Sequence, residues 1–276
     1  MSVALVVACV PAMAYVIQAE DILTSSDWAQ KVAATSFPGT AVSGIVGAAN
    51  GGQALSVIDN DKANPKDAHV ADNTGDLLYV TTAAGAFNGS ATAVVRMKTT
   101  AEFEFSALTG TPTDDGWDRN VILSFGDGVW RRCAGFAVRP DSVTFTNTTA
   151  SSVYGGVYAI DNTQWHTWTI VGSGFTSASG SGSIDVYVDG GSAPVMSIAS
   201  GLASTDTAIG YIDALSIGSA MGGSSRDGTG SWLFDWVAVK AGADPGWQPN
   251  VPEPGSLLAL ASGLIGLVGF GIRRRK

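Results

Sequence analysis

Glycoside hydrolysis requires two carboxylates at a set distance, so acidic residues that share one strand are the first candidates for catalysis. A retaining glycosidase places an ionised nucleophile and a protonated acid about 5–5.5 Å apart. Asp185 and Asp189 are spaced too widely for that arrangement. The chain has only four glutamates, Glu20, Glu102, Glu104 and Glu253. Glu102 and Glu104 would share a strand face. They lack the aspartate between them and the third carboxylate of an E-x-D-x-x-E strand, so the sequence predicts no catalytic residues.

The two histidines add no other catalytic group. His69 lies in a polar stretch, and His166 alternates with tryptophans, which favours a packing or capping role. Cys133 lies in an alternating strand and is most simply a buried small side chain. Because no serine or cysteine is spaced with histidine for nucleophilic catalysis, we expect a protein that is not an enzyme.

Aromatic side chains beside polar groups are the main candidates for ligand binding. Sugar rings stack on exposed aromatic faces, and their hydroxyls pair with carboxylate and guanidinium groups. Charged residues flank Trp117, which favours a position near solvent. The candidate carbohydrate-binding residues are Asp115, Trp117, Trp130, Arg131 and Tyr158. The alternative is that each aromatic ring fills the interface between two sheets.

Short runs of β-branched and aromatic residues indicate the elements that position these groups. Turn signals separate the runs every eight to twelve residues or so, which is typical of a sandwich. Residues 164–171 alternate strictly, which places Trp165 on the face opposite to His166. Residues 183–189 alternate again, and the Asp-Gly pair that ends them predicts a hairpin turn. Residues 25–34 are predicted to form a short helix.

Four stretches in the carboxyl-terminal half occur in an order known from one fold family. They are QWHTWTIV, GSIDVYVDG, LSIGS and GSWLFDWVAVKAGA, and they cover residues 164–242. This order resembles concanavalin A-like (laminin-G-like) jelly-roll domains. The resemblance implies an all-β, two-sheet antiparallel sandwich over residues 15–246, with about six strands in each sheet. An immunoglobulin-like or carbohydrate-module sandwich is the alternative.

The same resemblance implies a structural calcium ion on the convex side of the sandwich. In that family, an aspartate of the last strand and groups near the mature amino terminus hold the ion. The matching residues here are Asp235 and either Glu20 or Asp21. Calcium takes about six to eight oxygen ligands. The alternative is that Asp235 accepts hydrogen bonds from backbone or from an indole.

The end of the chain has three parts in a fixed order. Pro252, Glu253 and Pro254 form a rigid polar segment at the end of a linker over residues 247–254. Residues 255–272 carry no charge and, as a helix, would be about 27 Å long, close to the hydrocarbon thickness of a bilayer. A basic cluster over residues 273–276 should stay cytoplasmic; it consists of Arg273, Arg274, Arg275 and Lys276.

This order of Pro-Glu-Pro, apolar span and arginine cluster resembles the PEP-CTERM sorting signal of Gram-negative bacteria. The resemblance implies cutting near the Pro-Glu-Pro by a membrane-embedded exosortase, and export linked to exopolysaccharide or biofilm production. We therefore expect export across the inner membrane, a membrane-anchored precursor, and then a cell-surface or extracellular protein. A single-span anchor that is never cut is the alternative.

The beginning of the chain has the features of a signal peptide. An apolar run over residues 1–14 ends in Ala12 and Ala14, a small-x-small cleavage pattern, so Tyr15 is the predicted first mature residue. A basic segment is missing before the apolar run, which predicts that the true start lies upstream. A buried first strand and a lipoprotein acceptor at Cys9 are the alternatives.

Composition sets further bounds. The formal net charge is −9, and an acidic surface argues against nucleic acid as a partner. After signal removal Cys133 is the only cysteine, so no intramolecular disulfide can form. Together the observations predict an exported, non-catalytic, lectin-like matrix protein that binds glycan or exopolysaccharide. The alternatives are a divergent polysaccharide hydrolase or lyase of the same fold, and a structural matrix component with no specific ligand.

Overall fold

A computed structural model gives the architecture of the chain. It describes residues 14–18, 28–31, 42–47, 53–60, 77–81, 86–100, 104–105, 119–126, 131–146, 153–174, 182–198, 214–220 and 228–251. No α-helix occurs within these ranges. They accordingly contain no helix long and apolar enough to cross a membrane, and residues 255–272 lie outside them.

The described residues form sixteen strands, all in antiparallel pairs. In chain order they are β1 (Ala14–Gln18), β2 (Trp28–Lys31), β3 (Val42–Gly47), β4 (Gln53–Asn60), β5 (Leu77–Thr81), β6 (Ala91–Thr99), β7 (Glu104–Phe105), β8 (Arg119–Gly126), β9 (Arg131–Arg139), β10 (Ser142–Thr146), β11 (Val153–Ala159), β12 (His166–Ser173), β13 (Ser183–Val188), β14 (Met196–Ile198), β15 (Ala214–Ala220) and β16 (Gly228–Ala241).

Two sheets contain these strands. The nine-stranded sheet has the order β14-β13-β12-β6-β16-β4-β3, and both β1 and β7 pair with β16 as well. The seven-stranded sheet has the order β11-β10-β9-β8-β15-β5-β2. The predicted all-β antiparallel sandwich is confirmed, although both sheets have more strands than the six expected.

The predicted helix over residues 25–34 is wrong, because β2 lies inside it and pairs with β5. Helix propensity is a weak preference that tertiary pairing overrides. Here the backbone groups of Trp28–Lys31 bond to the edge of a sheet instead of to one another.

The core lies between the two sheets and follows the alternation read from the sequence. Trp168 and Ile170 are buried, as are Ile184 and Val186 on the neighbouring strand β13. The alternation of residues 183–189, which points Ile184 and Val186 inward, is therefore confirmed, and Trp168 and Ile170 share one buried face as their alternation predicts. Gly172 continues the inward face, and a Cβ atom there would lie 2.2 Å from the ring of Phe125.

Two buried polar contacts join one sheet to the other. The indole N–H of Trp232 on β16 donates to the carbonyl of Val138 on β9, at 3.0 Å. Asn162 is 1% exposed and its side-chain amide donates to the carbonyls of Arg139 and Ser142, at 2.7 and 3.1 Å. The backbone carbonyl of Asn162 accepts a hydrogen bond from the backbone N–H of Thr99 at the end of β6.

Asn162 therefore ties the β9–β10 turn of one sheet to β6 of the other. Only a side chain with N–H donors can satisfy both carbonyls, because buried carbonyls left without a partner cost free energy. This requirement makes the residue sensitive to an isosteric change.

We expect Asn162→Asp to lower the free energy of unfolding by about 2–4 kcal/mol, because a carboxylate faces two carbonyls and loses both hydrogen bonds. Urea denaturation of the exported protein measures the change. Gln164→Glu makes the same amide-to-carboxylate substitution at an exposed neighbour and should change stability by less than about 0.5 kcal/mol. Equal stabilities for the two variants would refute the cross-sheet role of Asn162.

Residues 242–251, which we call the strap, follow β16, and the contacts of residues 242–247 tie it to the sheet. Gly242, with φ of 89°, turns the chain, and its N–H donates to the carbonyl of Ser90. The hydroxyl of Thr92 donates to the carbonyl of Gly242 at 2.6 Å and accepts the N–H of Asp244 at 2.9 Å. Thr92 has no exposed surface as a result.

A side-chain clasp holds the strap further along. Lys240 donates to the carboxylate of Asp244 at 2.6 Å, and its Nζ lies 4.9 Å from the ring centroid of Trp247. Asp244 also accepts the N–H of Gly246. The hydrogen bond from Lys240, followed by its charge, lowers the pKa of Asp244. Residues 247–251, placed in the linker by the sequence, thus continue directly from a segment bonded to the sandwich.

The depressed pKa of Asp244 sets the direction of its pH dependence. The stabilisation is complete above the pKa of an unfolded aspartate and is lost as pH falls through the lower folded value. We expect Lys240→Met to raise the pKa of Asp244 toward its ordinary range, as followed by carboxyl-carbon NMR. A titration of Asp244 that Lys240→Met leaves unchanged would contradict the clasp.

Candidate functional site

The outer face of the nine-stranded sheet carries two cations on one strand. Along β6, Val95, Met97 and Thr99 are buried, whereas Arg96 and Lys98 between them are partly exposed. Residues two apart share a strand face, so both cations project away from the core. The register sets Arg96 beside Thr167 of β12 and Trp236 of β16.

Trp165 lies on the same outer face, as its alternation with His166 predicts. The guanidinium carbon of Arg96 is 5.8 Å from its ring centroid, and Nζ of Lys98 is 5.3 Å from it. Such contacts are attractive because the ring face carries partial negative charge. The indole N–H of Trp165 has no hydrogen-bond partner among the described residues.

A β-bulge brings a carboxylate to these cations. In the pairing of β16 with β6, Phe234 faces Met97 and Trp236 faces Arg96, so Asp235 is the extra residue between them. A bulge re-aims side chains, and here Asp235 accepts from Nε of Arg96 at 2.9 Å. We call Arg96, Lys98, Trp165, Asp235 and Trp236 the cation–aromatic patch.

The patch combines a small positive excess with apolar rings. It has two cations and one carboxylate in a chain whose formal net charge is −9. The ion pair uses Nε of Arg96, and a guanidinium carries four further N–H donors by its chemistry. Because a guanidinium fork matches the geometry of a carboxylate, this arrangement suits a ligand that has anionic groups and flat apolar faces.

The calcium site predicted at Asp235 stays a prediction, because its other proposed ligands lie outside the described ranges. Asp235 already pairs with Arg96, and a second cation beside a guanidinium is repelled. Among the described residues no three His, Cys, Asp or Glu side chains come together. Glu20 and Asp21 lie outside the described ranges, although β1 ends at Gln18, opposite Trp236.

His166 takes part in a structural latch at the end of the sheet. Its Nδ1 lies 2.7 Å from Oδ2 of Asp189, and its Nε2 lies 3.0 Å from the carbonyl oxygen of Asp161. Asp189 also accepts the N–H of Thr167. Both ring nitrogens of His166 thus lie within hydrogen-bond distance of protein oxygens, in agreement with the packing or capping role predicted from the sequence.

The two aspartates of the latch lie in turns. Asp189 and Gly190 have φ of 50° and 73°, and the N–H of Gly191 donates to the carbonyl of Val188. This confirms the predicted Asp-Gly hairpin turn. At Asp161, hydrogen bonds from the hydroxyl and N–H of Thr163 lower the pKa of the carboxyl, with His166 adding a weaker effect.

Asp185 lies on the outer face of β13 and not in a catalytic pair. Its carboxylate accepts from the hydroxyl of Ser183 at 3.1 Å and from that of Ser197. Asp189 is bonded to His166 at the strand's end. The two carboxylates thus have separate partners, in agreement with the sequence-based assignment to an outer face and a turn.

The carbohydrate-binding residues chosen from the sequence are only partly described. Asp115, Trp117 and Trp130 lie outside the described ranges. Tyr158 packs against the core and stands opposite Val143, which faces Val138. Arg131 begins β9, seven residues before Val138, roughly 23 Å along the strand. The structure therefore does not bring Arg131 and Tyr158 together.

The targeting residues also lie mostly outside the described ranges. These include Ala12, Pro252, Glu253, Pro254 and the arginines at 273, 274 and 275. Ala14 and Tyr15 are described and begin β1, opposite Lys240 and Val239. The predicted mature start therefore falls at the beginning of a paired strand.

Residues 250–276 match the family model of the PEP-CTERM protein-sorting motif. The chain carries a PEP-CTERM sorting motif. The motif implies export in a Gram-negative bacterium, a membrane-anchored precursor, and processing by exosortase, a membrane protease. It covers the tail alone, so it gives no information about the sandwich.

Comparisons of the whole chain give more distant likenesses. No curated protein matches the sequence. A protein of unknown function from Shewanella oneidensis MR-1 is 12% identical, with 87% of this chain and 90% of that chain covered and a TM-score of 0.48. An alginate lyase is 10% identical over 79% and 98%, with a TM-score of 0.44. An endo-β-1,4-glucuronan lyase from the fungus Trichoderma reesei is 13% identical over 82% and 100%, with a TM-score of 0.42.

Sequence reasoning missed the patch although its parts were visible. Arg96 and Lys98 alternate with buried residues in ATAVVRMK, and Trp165 was placed opposite to His166. The sequence does not show that β6 pairs with β12 on one side and with β16 on the other. That pairing brings Trp165, which precedes β12, and Trp236 of β16 to Arg96 of β6.

Proposed function

We propose that this PEP-CTERM protein is an exported, non-catalytic glycan-binding protein of the cell surface or extracellular matrix. We propose further that its ligand is an acidic polysaccharide bound at the cation–aromatic patch. The observation that carries the proposal is the position of Trp165 beside Arg96 and Lys98 on an outer sheet face.

The chemistry of a polyuronate matches this surface. Each sugar ring presents an apolar face that packs on an indole, and each carboxylate is a bidentate acceptor for guanidinium. Arg96 is 34% exposed in its side chain, so it is accessible to a ligand while Asp235 fixes its direction. The pairing of β6 with β12 on one side and β16 on the other holds these groups in place.

A non-catalytic role is supported by the hydrogen bonds that three acid–base side chains already make within the protein. His166 uses both ring nitrogens, and the carboxylates of Asp185 and Asp189 each have hydrogen-bond donors. The alternatives are a divergent hydrolase or lyase of the same fold, and a structural component without a specific ligand. The experiment below separates the three.

We expect the exported protein to be retarded in gels that contain alginate, a polyuronate, and not in gels that contain dextran. Trp165→Ala and Lys98→Glu should each weaken binding about tenfold, because each removes one contact worth roughly 1.4 kcal/mol. Added salt should weaken binding as well, since exposed charges are screened.

Trp247→Ala is the matched control, because it removes an indole that also contacts a lysine, outside the patch. It should bind like the parent protein. Equal binding by the parent and the Trp165→Ala and Lys98→Glu variants would place the ligand elsewhere. Shortened alginate chains after incubation would support the enzyme alternative, and no retardation in any polysaccharide would support the structural one.

A further inference from the structure

The strap brings the sorting motif close to the folded domain. Hydrogen bonds with the carbonyl of Ser90 and the hydroxyl of Thr92, and the clasp of Lys240, Asp244 and Trp247, hold residues 242–247. Two hydrogen bonds continue the ordered course, from the N–H of Trp247 to Asp244 and from that of Val251 to Pro249. Val251 is followed at once by Pro252, the first residue of Pro-Glu-Pro.

Little chain is left between the strap and the membrane in the precursor. Eight residue steps separate Trp247, the last described residue with a contact to the sheet, from Gly255, where the uncharged span begins, and an extended chain covers at most about 28 Å over that distance. The polar headgroup layer on one side of a bilayer takes roughly 5–8 Å of it. With the clasp closed, at most about 20 Å of chain is therefore left between the sandwich and the headgroup layer.

A membrane protease must place a backbone amide near residues 252–254 in its active site, together with residues on both sides. A docked strap holds Trp247, five residues before Pro252, and keeps the sandwich near the place that the protease has to approach. Release of residues 244–247 from the sheet would add four residues, or up to about 14 Å of chain.

We propose that Lys240, Asp244 and Trp247 form a clasp that limits processing of this protein, so that the strap must detach before the sorting motif is cut. The residues are positioning residues, since they do not touch the scissile bond. The clasp consists of a charged hydrogen bond and a cation–π contact at the protein surface, which are weak enough to open repeatedly. The inference rests on the sorting motif and is independent of glycan binding.

The test is a pulse-chase measurement of the full-length chain in cells that process PEP-CTERM proteins. We expect Trp247→Ala and Asp244→Asn to be cut about fivefold faster than the parent. Asp185→Asn, which makes the same carboxylate-to-amide change on the outer face of β13, should be cut at the parental rate. A strain without the protease shows whether each product depends on it.

A second form of the protein, which carries a flexible insertion, distinguishes release of the strap from a general loss of stability. An insertion of about ten Gly and Ser residues between Val251 and Pro252 gives the protease a flexible segment. In that background the parent should be cut faster, and Trp247→Ala should add nothing. Parental rates for both clasp variants would overturn the proposal, as would a Trp247→Ala acceleration that persists after the insertion, since that would indicate unfolding.

Discussion

The structure depends on joining two large sheets through buried contacts, because Cys133 is the one cysteine among the described residues and has no second cysteine there to bond with. Apolar side chains supply most of the attraction, since burial is roughly proportional to apolar area. That attraction has no direction, however, and does not fix how one sheet sits on the other. The bonds of Asn162 and Trp232 do fix it, because buried donors and acceptors must meet with correct geometry.

The same rigidity determines where chemistry can occur. Strand β6 lies between β12 and β16 in the middle of the nine-stranded sheet, and its inward residues are fully buried. Its outward cations are therefore held by a framework that cannot shift by one residue without turning its core side chains outward. The bulge at Asp235 is the local exception, and it directs a carboxylate to Arg96. The patch is thus a property of the sheet and not of a mobile loop.

The alternating strands were predictable because the side-chain period of a strand is visible in a single sequence. That period correctly gave the face that Trp168 and Ile170 share and the inward direction of Val186, and the Asp-Gly pair gave the turn at Asp189 and Gly190. Pairing was not predictable: Trp165 and Arg96 are far apart in the chain, and nothing local indicates that β12 lies beside β6. Asn162 gave only a turn signal, since its role depends on carbonyls from two other segments. The helix over residues 25–34 failed for the same reason, because its backbone pairs with a distant strand.

The tail of the chain and the sandwich thus differ in what can be recognised from the sequence. The sorting motif is local in sequence and can be recognised without a fold, whereas the proposed binding surface forms only after β6, β12 and β16 have paired. The most direct test of the account is hydrogen–deuterium exchange of the exported protein with and without alginate. It predicts slower exchange at residues 94–99 and 165–169 and no change in the seven-stranded sheet. Slower exchange confined to β8–β11, or to the loops between strands, would contradict it.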